Sequence, residues 1–107
     1  MKMLNRRDFG LAVTAAILSP VTTARADDMD VHIDNFVFQP AELKIRTGTT
    51  VTWTNRDDIP HTVVSVGKFR SKTLDTNDKF SFTFTDAGDY KYFCSLHPHM
   101  TGMIKVE

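Results

Sequence analysis

The chain has 107 residues, 13 Lys and Arg against 13 Asp and Glu, and one cysteine. A chain of this length makes one domain with one modest core, which excludes multidomain enzymes and deep cofactor folds. The even balance hides a mildly acidic domain beyond the first 26 residues, and its lack of a basic cluster argues against nucleic acid and anionic membrane surfaces as partners.

Residues 1–26 read as an export signal. Lys2, Arg6 and Arg7 precede an apolar stretch from Phe9 to about Leu18, and Ala24-Arg25-Ala26 closes it with the small-x-small pattern that a signal peptidase accepts. The apolar stretch is too short to span a bilayer. Asn5-Arg6-Arg7-Asp8-Phe9 is similar to the twin-arginine export motif, and the bacterial periplasm is the expected destination. Cleavage after Ala26 leaves residues 27–107 as a single domain with no membrane span. Four basic residues and Asp8 stay in the leader, so the mature domain carries 9 Lys and Arg against 12 Asp and Glu.

Beyond Ala26 the apolar residues recur with period two, the period of strands. Val31 and Ile33 alternate with polar residues, and Phe36 and Phe38 continue after a change of phase that predicts a bulge. Leu43 and Ile45 alternate up to a turn at Thr47-Gly48. Val51 and Trp53 alternate with Thr50, Thr52 and Thr54, which is strong strand chemistry. A polar loop, Asn55-Arg56-Asp57-Asp58, leads to Ile59-Pro60, and Thr62 to Val66 form a β-branched run closed by Gly67. Residues 68–78 are polar and carry no clear period. Phe80, Phe82 and Phe84 then share one face, Asp86-Ala87-Gly88-Asp89 make a turn, and Tyr90, Tyr92 and Cys94 alternate on the next strand. Gly102 to Val106 form the last. Seven or eight short strands at regular spacing predict an all-β sandwich.

The chemistry concentrates in Cys94-Ser95-Leu96-His97-Pro98-His99-Met100. Small exported domains commonly pair their cysteines, and Cys94 has no partner within the chain, so it is a buried bystander, a nucleophile or a metal ligand, and its neighbours decide. A thiolate, an imidazole and a thioether come from one short loop, and His61 follows Pro60 at the end of another loop 33 residues earlier. Loops at one end of a sandwich cluster. Two imidazoles, a thiolate and a weak thioether are the ligand set of a blue-copper electron-transfer site: His61, Cys94, His97 and Met100. A structural zinc site prefers four Cys or His ligands, and a thioether is a poor one. A Cys-His nucleophile needs an oxyanion hole that nothing in the sequence marks. Covalent haem needs two cysteines ahead of the histidine. A copper carrier or storage module is the alternative reading.

This segment resembles the copper loop of cupredoxins, with the Cys-x-x-His-x-x-Met spacing of the amicyanins. The resemblance extends through Val51-Thr52-Trp53-Thr54-Asn55 before Pro60-His61, and through Phe82-Thr83-Phe84-Thr85-Asp86-Ala87-Gly88 before Tyr90, Tyr92 and Cys94. It implies a Greek-key sandwich with one type-1 copper, held by His61, Cys94 and His97 in a plane and by Met100 axially. The implied role is one-electron transfer between periplasmic redox proteins rather than catalysis. In amicyanins the donor is an amine dehydrogenase and the acceptor a c-type cytochrome; a monomer is expected.

Other residues receive structural readings. Met103 is a rival axial ligand that the closing strand is expected to remove from the site. His99 is expected to face solvent and His32 to lie on the surface, while Tyr90 resembles a tyrosine-corner residue. Two positions depart from the amicyanin pattern: Leu96 stands where proline is usual, and His99 where an apolar residue is usual. Leucine restores a backbone N–H that proline lacks, and this N–H is expected to reach the Cys94 sulfur. Ile59, Pro60, Leu96 and Pro98 are expected to form an apolar rim around His97.

Overall fold

The computed structural model describes residues 28–107, so the export signal predicted over 1–26 lies outside the described residues. Nine strands make up this part: β1 (Asp28–Asp34), β2 (Val37–Gln39), β3 (Glu42–Ile45), β4 (Thr49–Asn55), β5 (Val64–Ser65), β6 (Phe69–Arg70), β7 (Lys79–Phe84), β8 (Gly88–Cys94) and β9 (His97–Val106). No helix occurs among the described residues. The strands form a four-stranded sheet, β2-β1-β4-β7, and a five-stranded sheet, β3-β9-β8-β5-β6. The strand missing from the expected seven or eight is β6, two residues long in the polar stretch where no hydrophobic period marks it.

Alternation builds the two-faced strands directly. In the antiparallel β4–β7 pair, Val51 lies opposite Phe82 and Trp53 opposite Phe80 on the inner face. On the outer face Thr50 and Thr83 join hydroxyls at 2.7 Å, as do Thr52 and Ser81. Two contacts between strands are parallel, β1 with β4 and β3 with β9, which seats the first described strand inside one sheet and the last inside the other.

Trp53 is fully buried at the centre of the core. Tyr92 meets it edge-on at 5.4 Å between ring centroids, and Phe69, Phe80 and Phe84 surround it at 5.6 to 6.5 Å. Contacts of this kind add about 0.5–1.5 kcal/mol each beyond the area they bury. The Tyr90 hydroxyl donates to the Asp86 carbonyl at 2.9 Å, the tyrosine corner expected at that turn.

Three sequence expectations need correction. Phe36 is not a strand residue after a bulge: it is the second residue of a two-residue turn between β1 and β2, with Asp34 paired to Val37 and positive φ at both Asn35 and Phe36. The run from Thr62 to Val66 is a strand only at Val64–Ser65, because the N–H groups of Thr62 and Val63 donate to side chains, Cys94 Sγ and Ser71 Oγ, and not to a neighbouring strand. The closing strand begins at His97 rather than Gly102. Cys94 pairs with His97 and Phe93 with Thr101, so the residues from Pro98 to Met100 bulge out of register between those two pairs.

Candidate metal centre

The site lies at one end of the sandwich, where the β1–β2 turn, the β4–β5 connection and the β8–β9 turn meet. His61 is fully buried and joined to Leu74 by two backbone hydrogen bonds, 3.1 Å from its N–H and 2.7 Å to its carbonyl. Asn55 holds the connection that leads to it. The Asn55 amide donates to the carbonyls of Ile59 and Leu74, both at 2.9 Å, and its oxygen accepts the Asp57 N–H at 2.9 Å. Cys94 is buried at the end of β8, and the Ser95-Leu96 turn brings His97 back beside it.

Donor atoms from these elements converge. The Nδ1 atoms of His61 and His97 each lie 3.7 Å from the Cys94 sulfur, and one ligand atom from each of the three residues falls within 4.8 Å of the others. Metal bonds of about 2.0–2.1 Å to nitrogen and about 2.3 Å to sulfur, opened to about 120°, span about 3.7 Å. A first-row metal ion therefore fits between either imidazole and the sulfur. The other nitrogen of His61, Nε2, lies 2.7 Å from Asp57 Oδ2. A carboxylate only accepts, so Nε2 carries a proton, and in the neutral ring Nδ1 keeps its lone pair on the side of the sulfur.

Met100 is buried on the bulged part of β9, whereas Met103 is paired beside Lys91 and Glu42 and lines an outer groove with them. His99 and His32 are exposed, as expected. His97 is partly exposed beside exposed Leu96, Pro98 and Pro60, with Ile59 half-buried.

The combination of one thiolate, two imidazoles and a buried thioether selects copper over zinc. Residues 9–106 match the cupredoxin-like domain. The chain belongs to the cupredoxin family. It is 36% identical to amicyanin-alpha of Methylorubrum extorquens over 102 residues, covering 90% of this chain and 86% of that protein. It is 34% identical to the amicyanin of Paracoccus versutus over 103 residues, covering 89% and 78%. Among solved structures it is similar to a purple cupredoxin from Nitrosopumilus maritimus, with a TM-score of 0.70 and 36% identity over 73% of this chain and 98% of that one. An oxidised methionine-to-leucine variant of amicyanin gives a TM-score of 0.71 and 34% identity, covering 74% and 81%. Cupredoxins are electron carriers, not enzymes, and His61, Cys94, His97 and Met100 form the type-1 copper site of this one.

The structure also supplies functional residues that sequence reasoning missed. The hydrogen-bond donors to the Cys94 sulfur are the Thr62 N–H at 3.4 Å and the Thr62 hydroxyl at 3.8 Å, in place of the expected Leu96 N–H. Thr62 Oγ1 in turn accepts the Ser95 N–H at 2.8 Å and lies 2.8 Å from Ser95 Oγ, which ties the two loops together behind the thiolate. Asp57 is the second omission. Its Oδ1 accepts the Asn35 N–H at 2.6 Å and its Oδ2 the Phe36 N–H at 3.1 Å, besides holding His61. Burial pushes the Asp57 carboxyl up, but the N–H groups of Phe36 and Asn35 and the His61 ring outweigh it and leave the group below its ordinary value. Phe36 is the third, its ring edge-on to both imidazoles at centroid distances of 5.7 Å from His61 and 5.0 Å from His97. No local pattern announces Thr62 or Phe36, since each acts on residues that folding alone brings near; Asp57 is four residues from His61, but its hold on the Asn35–Phe36 turn is likewise a product of folding.

Proposed function

We propose that this protein is a periplasmic, amicyanin-like carrier of single electrons between redox proteins. The observation that carries the reading is the placement of two imidazole Nδ1 atoms at 3.7 Å from one buried cysteine sulfur. Copper bound there supplies a one-electron Cu(I)/Cu(II) couple. Cys94 and Met100 would provide the sulfur ligands that favour Cu(I), while His61 and His97 would provide the nitrogens that favour Cu(II).

The chain's own residues hold this compromise fixed. Asn55 and Asp57 pin His61, and Thr62 pins the sulfur, so little has to rearrange when an electron arrives. His97 is the ligand that reaches the surface, with exposed Leu96 beside it, and it is the entry and exit point in this reading. The proposed acceptor is a c-type cytochrome and the proposed donor an amine dehydrogenase, on the likeness to the amicyanins. The basic start, apolar stretch and Ala24-Arg25-Ala26 of the leader support export to the periplasm, where the mature chain acts as a monomer.

Reconstitution with Cu(II) tests the site. An intense visible band from the thiolate–Cu(II) bond is expected, and Cys94→Ala should abolish it while the far-ultraviolet dichroism of the sandwich persists. Retention of the band in that variant would falsify the ligand assignment. Mixing the loaded protein with a copper-free acceptor separates a shuttle, which keeps its metal through redox cycles, from a carrier, which gives it up. Amino-terminal sequencing of the protein from a periplasmic extract tests cleavage after Ala26.

A further inference from the structure

Phe36 occupies a position that its residue type disfavours. Its φ is 63°, and that of Asn35 is 52°, so both central residues of the turn are left-handed. The second place in such a turn ordinarily goes to glycine, and a bulky side chain there is a conformational outlier that something else must hold. The ring does not escape into the core: it is 48% exposed and stands edge-on to His61 and His97. The group that holds the turn is the same one that holds His61. Asp57, itself buried, accepts from Asn35 N, Phe36 N and His61 Nε2 with its two oxygens.

We propose that Asp57 is a positioning residue of the metal centre that acts on both histidines. It fixes His61 directly, and through the Asn35–Phe36 turn it fixes the aromatic ring that braces His97. His97 needs such a brace because it sits at the mouth of a turn and is partly exposed, whereas His61 is enclosed. Only an ionised carboxylate suits the junction. Three donors converge on two oxygens, and an asparagine there would turn its own NH2 toward at least one of them. The inference rests on the copper reading above for its effect on the metal. Its structural half stands on the clamp alone.

Two variants and two measurements test it. In metal-free Asp57→Asn, amide exchange at Asn35 and Phe36 is expected to accelerate about tenfold, the loss of charge-assisted acceptors. Transfer of copper from the loaded variant to an excess of a Cu(I) chelator should accelerate with it, because His97 loses its brace. Phe36→Gly separates the ring from the turn. Glycine adopts positive φ without penalty, so the turn amides stay protected and the thermal midpoint does not fall, yet copper transfer is expected to accelerate about tenfold. A residue that only shaped the turn would leave that rate unchanged. Transfer from Phe36→Gly within about twofold of the wild type would overturn the brace, as would faster transfer from Asp57→Asn with both turn amides still protected. A wild-type chain that took up no copper would sink the copper reading instead, and amide exchange in the metal-free protein would still decide whether Asp57 clamps the turn.

Discussion

Gly102 and Tyr92 are packed so closely that a Cβ at position 102 would lie 2.4 Å from both the Cζ and the hydroxyl of Tyr92. The two residues face each other across the β8–β9 pair, and the Tyr92 ring lies over the glycine backbone. Tyr92 has no room to withdraw, since it is buried against Trp53 at 5.4 Å and Phe38 at 4.7 Å. Gly102→Ala is therefore expected to destabilise the domain by about 2–3 kcal/mol, the upper range for overpacking. Adding Tyr92→Phe should recover little, because the ring carbons Cζ and Cε2 remain at 2.4 and 2.8 Å. Chemical denaturation of the three proteins checks both statements.

Among the described residues, the Tyr92 hydroxyl and Trp53 Nε1 are buried without a hydrogen bond of good geometry. Burial pushes the Tyr92 phenol up from 10.0 to about 12. Between those values an unfolded chain has released the proton and the folded one retains it, so stability is fully present below pH 10 and falls as pH rises toward 12. The gap is worth about 2–3 kcal/mol. Tyr92→Phe is expected to remove this alkaline loss. At pH 7 the same variant should be neutral or slightly more stable, since it deletes an unsatisfied polar group at nearly constant volume. Unfolding curves of both proteins from pH 7 to 12 give the comparison.

Behind the thiolate, Thr62 does what the sequence assigned to Leu96. Thr62→Ala keeps the backbone N–H on the sulfur but removes the hydroxyl that the Ser95 N–H donates to. A loss of about 1–2 kcal/mol is expected from the orphaned Ser95 N–H, with a shift of the visible band. Leu96→Pro deletes no donor to sulfur, so its reduction potential should lie closer to the wild type than that of Thr62→Ala. Voltammetry of the three proteins at one pH ranks them; a larger change in the proline variant would return the donor role to Leu96.

Met100 lies in the bulged start of β9, whereas Met103 lies in its regular pairing with β8 and β3. Met100 is buried, while Met103 lines the outer groove. Met100→Gln should alter both the spectrum and the potential, since the axial ligand tunes such sites. Met103→Leu should alter neither. Equal effects would place both thioethers at the metal end and contradict the register of β8 against β9.

Local patterns in the chain suffice to mark an all-β domain and its copper ligands. Period-two alternation in Val51-Trp53 and in Phe80-Phe82-Phe84 reports a strand and its buried face without reference to anything else in the chain. Cys94, His97 and Met100 belong to one short segment, so their ligand chemistry is legible as a string; only His61 had to be brought from elsewhere. How distant segments meet is not written in any local pattern. The parallel pairings of β1 with β4 and β3 with β9 carry no local mark, because a strand's alternation says which face is buried and nothing of its neighbour. Phe36 reads as another apolar residue in an alternating run until Asp34 pairs with Val37 and turns it toward the histidines. Asp57 reads as one acid in a polar loop until its oxygens meet the N–H groups of Asn35 and Phe36, more than 20 positions away. Hydrogen bonds of that reach depend on the approach of two loops, which packing of the whole sandwich sets and no stretch of sequence encodes alone.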